Sequence, residues 1–186
     1  TSLLDDERGN IWIATLGGGL QCLDPRTSKR VVYGKDSHRM PSDKVNSLSM
    51  TKDKKMLIGT PAGVVLLQHE SGQLTSYTGC QKGNTLFTSQ YVNQVIEDSR
   101  GLWWIAARDG INIYNPKTDE LDVIGAAEGF RNAVVCGLAP SGPQMVWAST
   151  AGGVTNIVVD KNDAGTGYLY RIYNYTEEDG LQGYEF

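Results

Sequence analysis

The chain has 186 residues, of which 40% are hydrophobic and 20% charged, the balance of a folded chain with apolar material for a sizeable core and not of a disordered one. A formal net charge of −4 lacks the basic excess with which dedicated nucleic-acid binders neutralise phosphates. No apolar run reaches the ~18 residues of a membrane span, and the N-terminus shows neither the basic start nor the apolar run of a secretory leader.

In chain order the first recognisable phrase is Arg8-Gly9-Asn10-Ile11-Trp12-Ile13-Ala14-Thr15, followed by Gly17-Gly18-Gly19. Weaker copies return around Leu57, Trp104 and Trp147, at intervals of 45, 47 and 43 residues. A period of roughly 40–50 residues marks a repeat architecture. Each repeat reads as four short strands, a to d, separated by turn residues. The first has strands at residues 2–4, 11–15, 20–23 and 29–33, and the second at 45–50, 56–60, 64–68 and 73–77. The third follows at 92–97, 102–107, 111–114 and 120–124, and the fourth at 134–138, 145–150, 154–159 and 168–175. No stretch has a helical period.

A four-stranded unit with apolar residues on both faces must stack between others like it, and radial stacking gives a β-propeller. The expected fold is therefore all-β, with about four antiparallel blades. They are assigned as 1–44, 45–91, 92–132 and 133–176, with 177–186 leading toward a following blade. A closed seven-bladed ring at this period needs on the order of 300 residues, so the chain reads as part of a larger propeller. Its two open blade faces are then expected to drive self-association. The glycines between strands b and c suit tight turns. Gly17-Gly18-Gly19 lacks the Lys-Ser/Thr and the strand-to-helix context of a phosphate loop.

Asp6-Glu7-Arg8-Gly9-Asn10-Ile11-Trp12-Ile13-Ala14-Thr15 and Asp98-Ser99-Arg100-Gly101-Leu102-Trp103-Trp104-Ile105 resemble the signature of two-component-regulator propeller repeats. Asp24-Pro25, Asn115-Pro116 and the closing Tyr175-Thr176-Glu177-Glu178-Asp179-Gly180-Leu181 fit the same pattern. The second repeat departs from it with Leu57 for Trp, and the fourth with Ser141-Gly142-Pro143-Gln144 for the acidic turn. The resemblance implies a segment from the periplasmic sensor region of a hybrid two-component histidine kinase that responds to polysaccharide fragments. It implies attachment to the membrane only through other parts of the protein.

Catalysis has little support, since His38 and His69 are the only histidines and neither HExxH nor GxSxG occurs. Cys22, Cys80 and Cys136 lack the spacing of a zinc site, and neither a metal nor a cofactor is expected. Cys22 and Cys136 lie in strand-like runs and are expected to be buried, with Cys80 in a loop the more exposed. Binding is better motivated. The b–c and d–a connections of a propeller emerge on one face, and they carry His38, Arg39, Phe87, Tyr91, Arg108, Asp109, Phe130, Arg131 and Asn132. Guanidinium forks take carboxylates and sulfates, and aromatic faces stack on sugars. An acidic oligosaccharide is thus the expected ligand, with His38, Arg39, Tyr91, Arg108, Asp109 and Arg131 as its candidate site. The plainer reading is solvated loops on a structural module that has no ligand of its own. A glycan lyase or hydrolase would need acid–base residues converging on the rim.

Overall fold

A computed structural model describes residues 2–82, 84–161 and 168–182, with the side chain of Lys161 excepted. Four four-stranded antiparallel sheets follow one another along the chain. The first holds β1 (Leu3–Asp5), β2 (Ile11–Ala14), β3 (Leu20–Asp24) and β4 (Lys29–Tyr33), and the second β5 (Ser47–Met50), β6 (Met56–Thr60), β7 (Gly63–Gln68) and β8 (Gln73–Tyr77). The third holds β9 (Val92–Glu97), β10 (Trp103–Ala107), β11 (Gly110–Asn115) and β12 (Glu120–Ile124). The fourth holds β13 (Val135–Ser141), β14 (Met145–Thr150), β15 (Gly153–Lys161) and β16 (Tyr168–Tyr175).

Three apolar cores lie between the four sheets. Trp12, Ala14 and Leu20 meet Met56, Ile58, Val65 and Leu67 in the first. Leu57, Val64 and Leu66 meet Trp103, Ile105 and Tyr114 in the second. Trp104, Ile111 and Ile113 meet Val146, Ala148 and Ile157 in the third. Alternation along strand b therefore sends the repeat's marker residue, Trp12, Leu57 or Trp104, toward the following sheet and its neighbours toward the preceding one. Burial follows position in the stack: every residue of β6 and β10 is buried, whereas β2 and β14 bury alternate residues. Trp147 accordingly lies half-buried on the outward face of the fourth sheet. Full burial of each large side chain contributes roughly 1.5–3 kcal/mol, so the middle sheets hold the stack together.

The repeat signature has a physical cause. Asp6 accepts backbone N–H groups of Arg8 and Asn10, each at 2.9 Å, and the indole Nε1–H of Trp12 at 2.9 Å. Asp98 does the same with Arg100 at 2.8 Å, Leu102 at 3.1 Å and Trp104 at 2.9 Å. One carboxylate thus closes the a–b turn and satisfies the buried indole. In the copies without this acid, Thr51 stands six residues before Leu57 and Ser141 six before Trp147.

Helical turns, absent from the sequence reading, occur in the d–a connections: α1 (Lys35–His38) and single 3-10 turns at Ala126–Glu128 and Glu177–Asp179. Each is followed by an apolar residue whose N–H returns to the start of the turn, as Met40 does to Gly34 and Phe130 to Gly125. The second connection carries extra residues, and Phe87 closes it on Thr78 at 2.9 Å. Phe87 and Phe130, placed by the sequence on the binding rim, are therefore core residues, 4% and 3% exposed. The cysteine expectation is also corrected. Cys136 is exposed, whereas Cys22 and Cys80 are half-buried.

Candidate functional site

Antiparallel order within each sheet brings the b–c loops and the d–a connections to one end of the stack, and the a–b and c–d turns to the other. At the first end the b–c loops of the first three sheets are each pinned by a glycine. The N–H of Gly19 reaches Asp43 O at 2.8 Å, that of Gly63 reaches Gln90 O at 2.8 Å and that of Gly110 reaches Ala133 O at 2.7 Å. Gly110 has φ of 109°, and a Cβ there would lie 2.6 Å from Ile124 O, so no other residue fits. Thr15, Thr60 and Thr150 cap their loops through Oγ1, a place that Ala107 takes in the third sheet.

The lead-ins to the inner strands of the second, third and fourth sheets are also fixed by side-chain turns. Ser42 Oγ accepts the N–H of Lys44 at 2.9 Å, Ser89 Oγ that of Tyr91 at 3.2 Å and Asn132 Oδ1 that of Val134 at 3.0 Å. Lys44, Tyr91 and Val134 are thus equivalent positions on successive sheets. The first two meet: Lys44 Nζ donates to the Tyr91 hydroxyl at 2.7 Å and stands 5.2 Å from its ring centre. From the b–c loop of the third sheet, the Arg108 guanidinium lies 3.9 Å from the same centre. Hydrogen bonding from Lys44 holds the Tyr91 phenol below its ordinary pKa against a smaller opposing effect of burial, and the charges of Lys44 and Arg108 add to the lowering. Neither Lys44 nor Arg108 has a carboxylate partner among the described residues. Two cations braced on one phenol, with no acid between them, have the charge and the donors that an anion would need.

Two of the six sequence candidates, Tyr91 and Arg108, are brought together here. His38 instead leans on Tyr33, with ring centres 4.4 Å apart, and its Nδ1 is 3.0 Å from Ser37 Oγ. Arg39, Asp109 and Arg131 are exposed, and among the described residues no hydrogen bond or ion pair ties them to the cluster. Sequence reasoning passed over Lys44. The signal was present, because Lys44 precedes Tyr91 by the same 47 residues that separate Leu57 from Trp104.

The comparisons with solved structures fall on the fold as a whole. The extracellular domain of a protein described as a hybrid two-component system of Bacteroides thetaiotaomicron aligns with 98% of this chain at a TM-score of 0.74 and 22% identity. A second such domain from the same organism aligns with 95% at 0.69 and 21% identity. The fold is part of a β-propeller. This chain spans only 24% and 22% of those two chains. A virginiamycin B lyase from Staphylococcus aureus is also similar, with a TM-score of 0.67 over 95% of this chain at 11% identity, and 56% of the lyase is covered. One fold thus serves unrelated activities. No family model matches the chain, and no curated protein matches it. Among the described residues no helix is long and apolar enough to cross a membrane. No group of three or more acidic, His or Cys side chains among them is placed to hold a metal.

Proposed function

We propose that this chain is an extracytoplasmic sensor segment of a hybrid two-component histidine kinase, and that it binds an acidic oligosaccharide at the end formed by the b–c and d–a connections. The observation that carries the binding reading is the Lys44–Tyr91–Arg108 cluster, with two cations lacking acidic partners on an acidic protein. His38, Arg39, Asp109 and Arg131 are the remaining rim candidates, within reach of a longer glycan rather than of the same acid group. The similarity to two-component extracellular domains supports the sensor role. Periplasmic placement and a kinase elsewhere in the protein follow from that role. In this mechanism the glycan favours one arrangement of paired sensors, and its differential affinity for the two arrangements biases the kinase.

The test compares a uronate-containing oligosaccharide with its neutral counterpart by calorimetry, on the wild-type chain and on Lys44→Ala/Arg108→Ala. The expected result is binding of the acidic ligand alone, weakened about tenfold or more by the paired substitution. Undiminished binding in the variant, or no discrimination between the ligands, refutes the site. A second reading, a structural module with no ligand, is favoured by the cross-sheet bonds from Asn46 to Val92 O at 2.7 Å and from Asn93 to Val135 O at 2.6 Å. Under that reading the paired variant leaves signalling by the full-length protein intact.

A further inference from the structure

At the opposite end, among the a–b and c–d turns, a groove of about 410 Å³ opens between the second and third sheets. That volume falls in the range of small-molecule sites, roughly 300–1,000 Å³. Its apolar lining comes from Leu66, Tyr77 and Trp103, and its rim carries Lys55 and Lys117. Three of the other charged groups there, Lys52, Glu97 and Arg100, are engaged. Lys52 Nζ donates to Ser99 O, Glu97 accepts the Lys52 N–H at 2.6 Å, and Arg100 is held by Asp98. Lys55, Lys117 and the Tyr77 hydroxyl have no side-chain hydrogen-bond or ion-pair partner among the described residues, and Asp53 on the outer rim is the one uncommitted acid.

We propose that this groove binds a small carboxylic acid with an aromatic or alicyclic body, its carboxylate between Lys55, Lys117 and the Tyr77 hydroxyl and its ring against Leu66. The uncommitted cations, Lys55 and Lys117, with the Tyr77 hydroxyl as a further donor, suit a carboxylate, and the apolar lining suits a ring rather than a sugar. Burial pushes the Tyr77 phenol above its ordinary value and the charge of Asp119 adds to this, so it stays a protonated donor. The site shares no residue with the rim proposed above: both lysines lie in a–b and c–d turns, and only Tyr77, whose strand ends at the d–a connection, reaches in from the rim side.

The test is an amide NMR titration of the 186-residue chain with benzoate, with cyclohexanecarboxylate and with benzyl alcohol as a neutral control. Saturable shifts at Lys55, Gly101 and Lys117 are expected for the two acids, with benzyl alcohol binding about tenfold more weakly or less. Lys55→Ala/Lys117→Ala should reduce acid affinity at least about tenfold, and Tyr77→Phe by a smaller factor. Arg108→Ala should leave the benzoate titration unchanged whatever it does to glycan binding. Equal affinity for benzyl alcohol, insensitivity to the lysine pair, or loss of benzoate binding in Arg108→Ala would each overturn the proposal.

Discussion

Asp98 is the more buried of the two carboxylates that close an a–b turn, its side chain 5% exposed against 7% for Asp6. Asp98→Asn keeps the shape and turns one acceptor oxygen into a donor amide among donors, so it should cost about 1–3 kcal/mol in urea unfolding at pH 7. Burial alone would raise the Asp98 pKa, but hydrogen bonds from Arg100, Trp104 and the turn, with the Arg100 charge, hold it below the ordinary value. A depressed carboxylate contributes stability above its unfolded value, about 3.9, and that stability is lost as pH falls through the folded value. The gap between wild type and variant should therefore narrow below about pH 4. A constant gap would mean that the charge plays no part. Arg39 is a second residue governed by its backbone, with φ of 55° where the equivalent turns end in Gly129 and Gly180. Arg39→Gly should raise stability by about 1 kcal/mol in the same assay. Tests of Arg39 in ligand binding should use alanine, which leaves this strain in place.

At the scale of single strands, β-bulges decide which way the inner-strand side chains point. The register of β9 slips at Asn93, and that of β13 at Cys136. The bulge aims Asn93 at the carbonyl of Val135, and Cys136 occupies the equivalent place on the outermost sheet. Cys136 lies in a strand-like run, which predicts it inside, but as the bulged residue between Val135 and Gly137 it is exposed. Alkylation of the native chain should therefore modify Cys136 first. Burial pushes up the thiols of Cys22 and Cys80, with nearby carboxylates adding to it, so both should react later. Cys136→Ser should remove the fast phase, and a fast phase that survives would place the bulge wrongly. The strands themselves were legible because their punctuation is local: the glycine of each b–c loop and the acid of each a–b turn act within a few residues. Phe130 was misread because a polar connection hides the helical turn just before it, whose start takes its N–H, and Phe87 because its longer polar connection folds back on Thr78 without such a turn. Lys44 was hidden for another reason, since its partner lies a full repeat away.

Among the described residues two unlike faces of the stack are left uncovered. The fourth presents Trp147, Leu169, Tyr173 and Tyr175, with Leu169 54% and Tyr173 46% exposed. The first presents Leu3, 72% exposed, with half-buried Ile11 and Ile13. Two of the three internal interfaces are built the same way, Trp12 lying with Met56 and Ile58 and Trp104 with Val146 and Ala148, so Trp147 on the fourth face is complementary to Ile11 and Ile13 on the first. Two copies joined head to tail through both pairs of faces would supply eight blades, the upper end of the 4–8 that close a propeller. Such contacts are heterologous, and a ring of two closes them. Light scattering of the isolated chain should therefore give a dimer whose mass is stable to dilution. Leu169→Asp/Tyr173→Asp should dissociate it, and Leu3→Asp on the other face should do so as well, because each junction needs both faces. If only one of these substitutions acts, the contact joins like faces and the ring does not form. If neither acts and the chain remains a monomer, the outward faces are stable in water, and association plays no part in how the segment works.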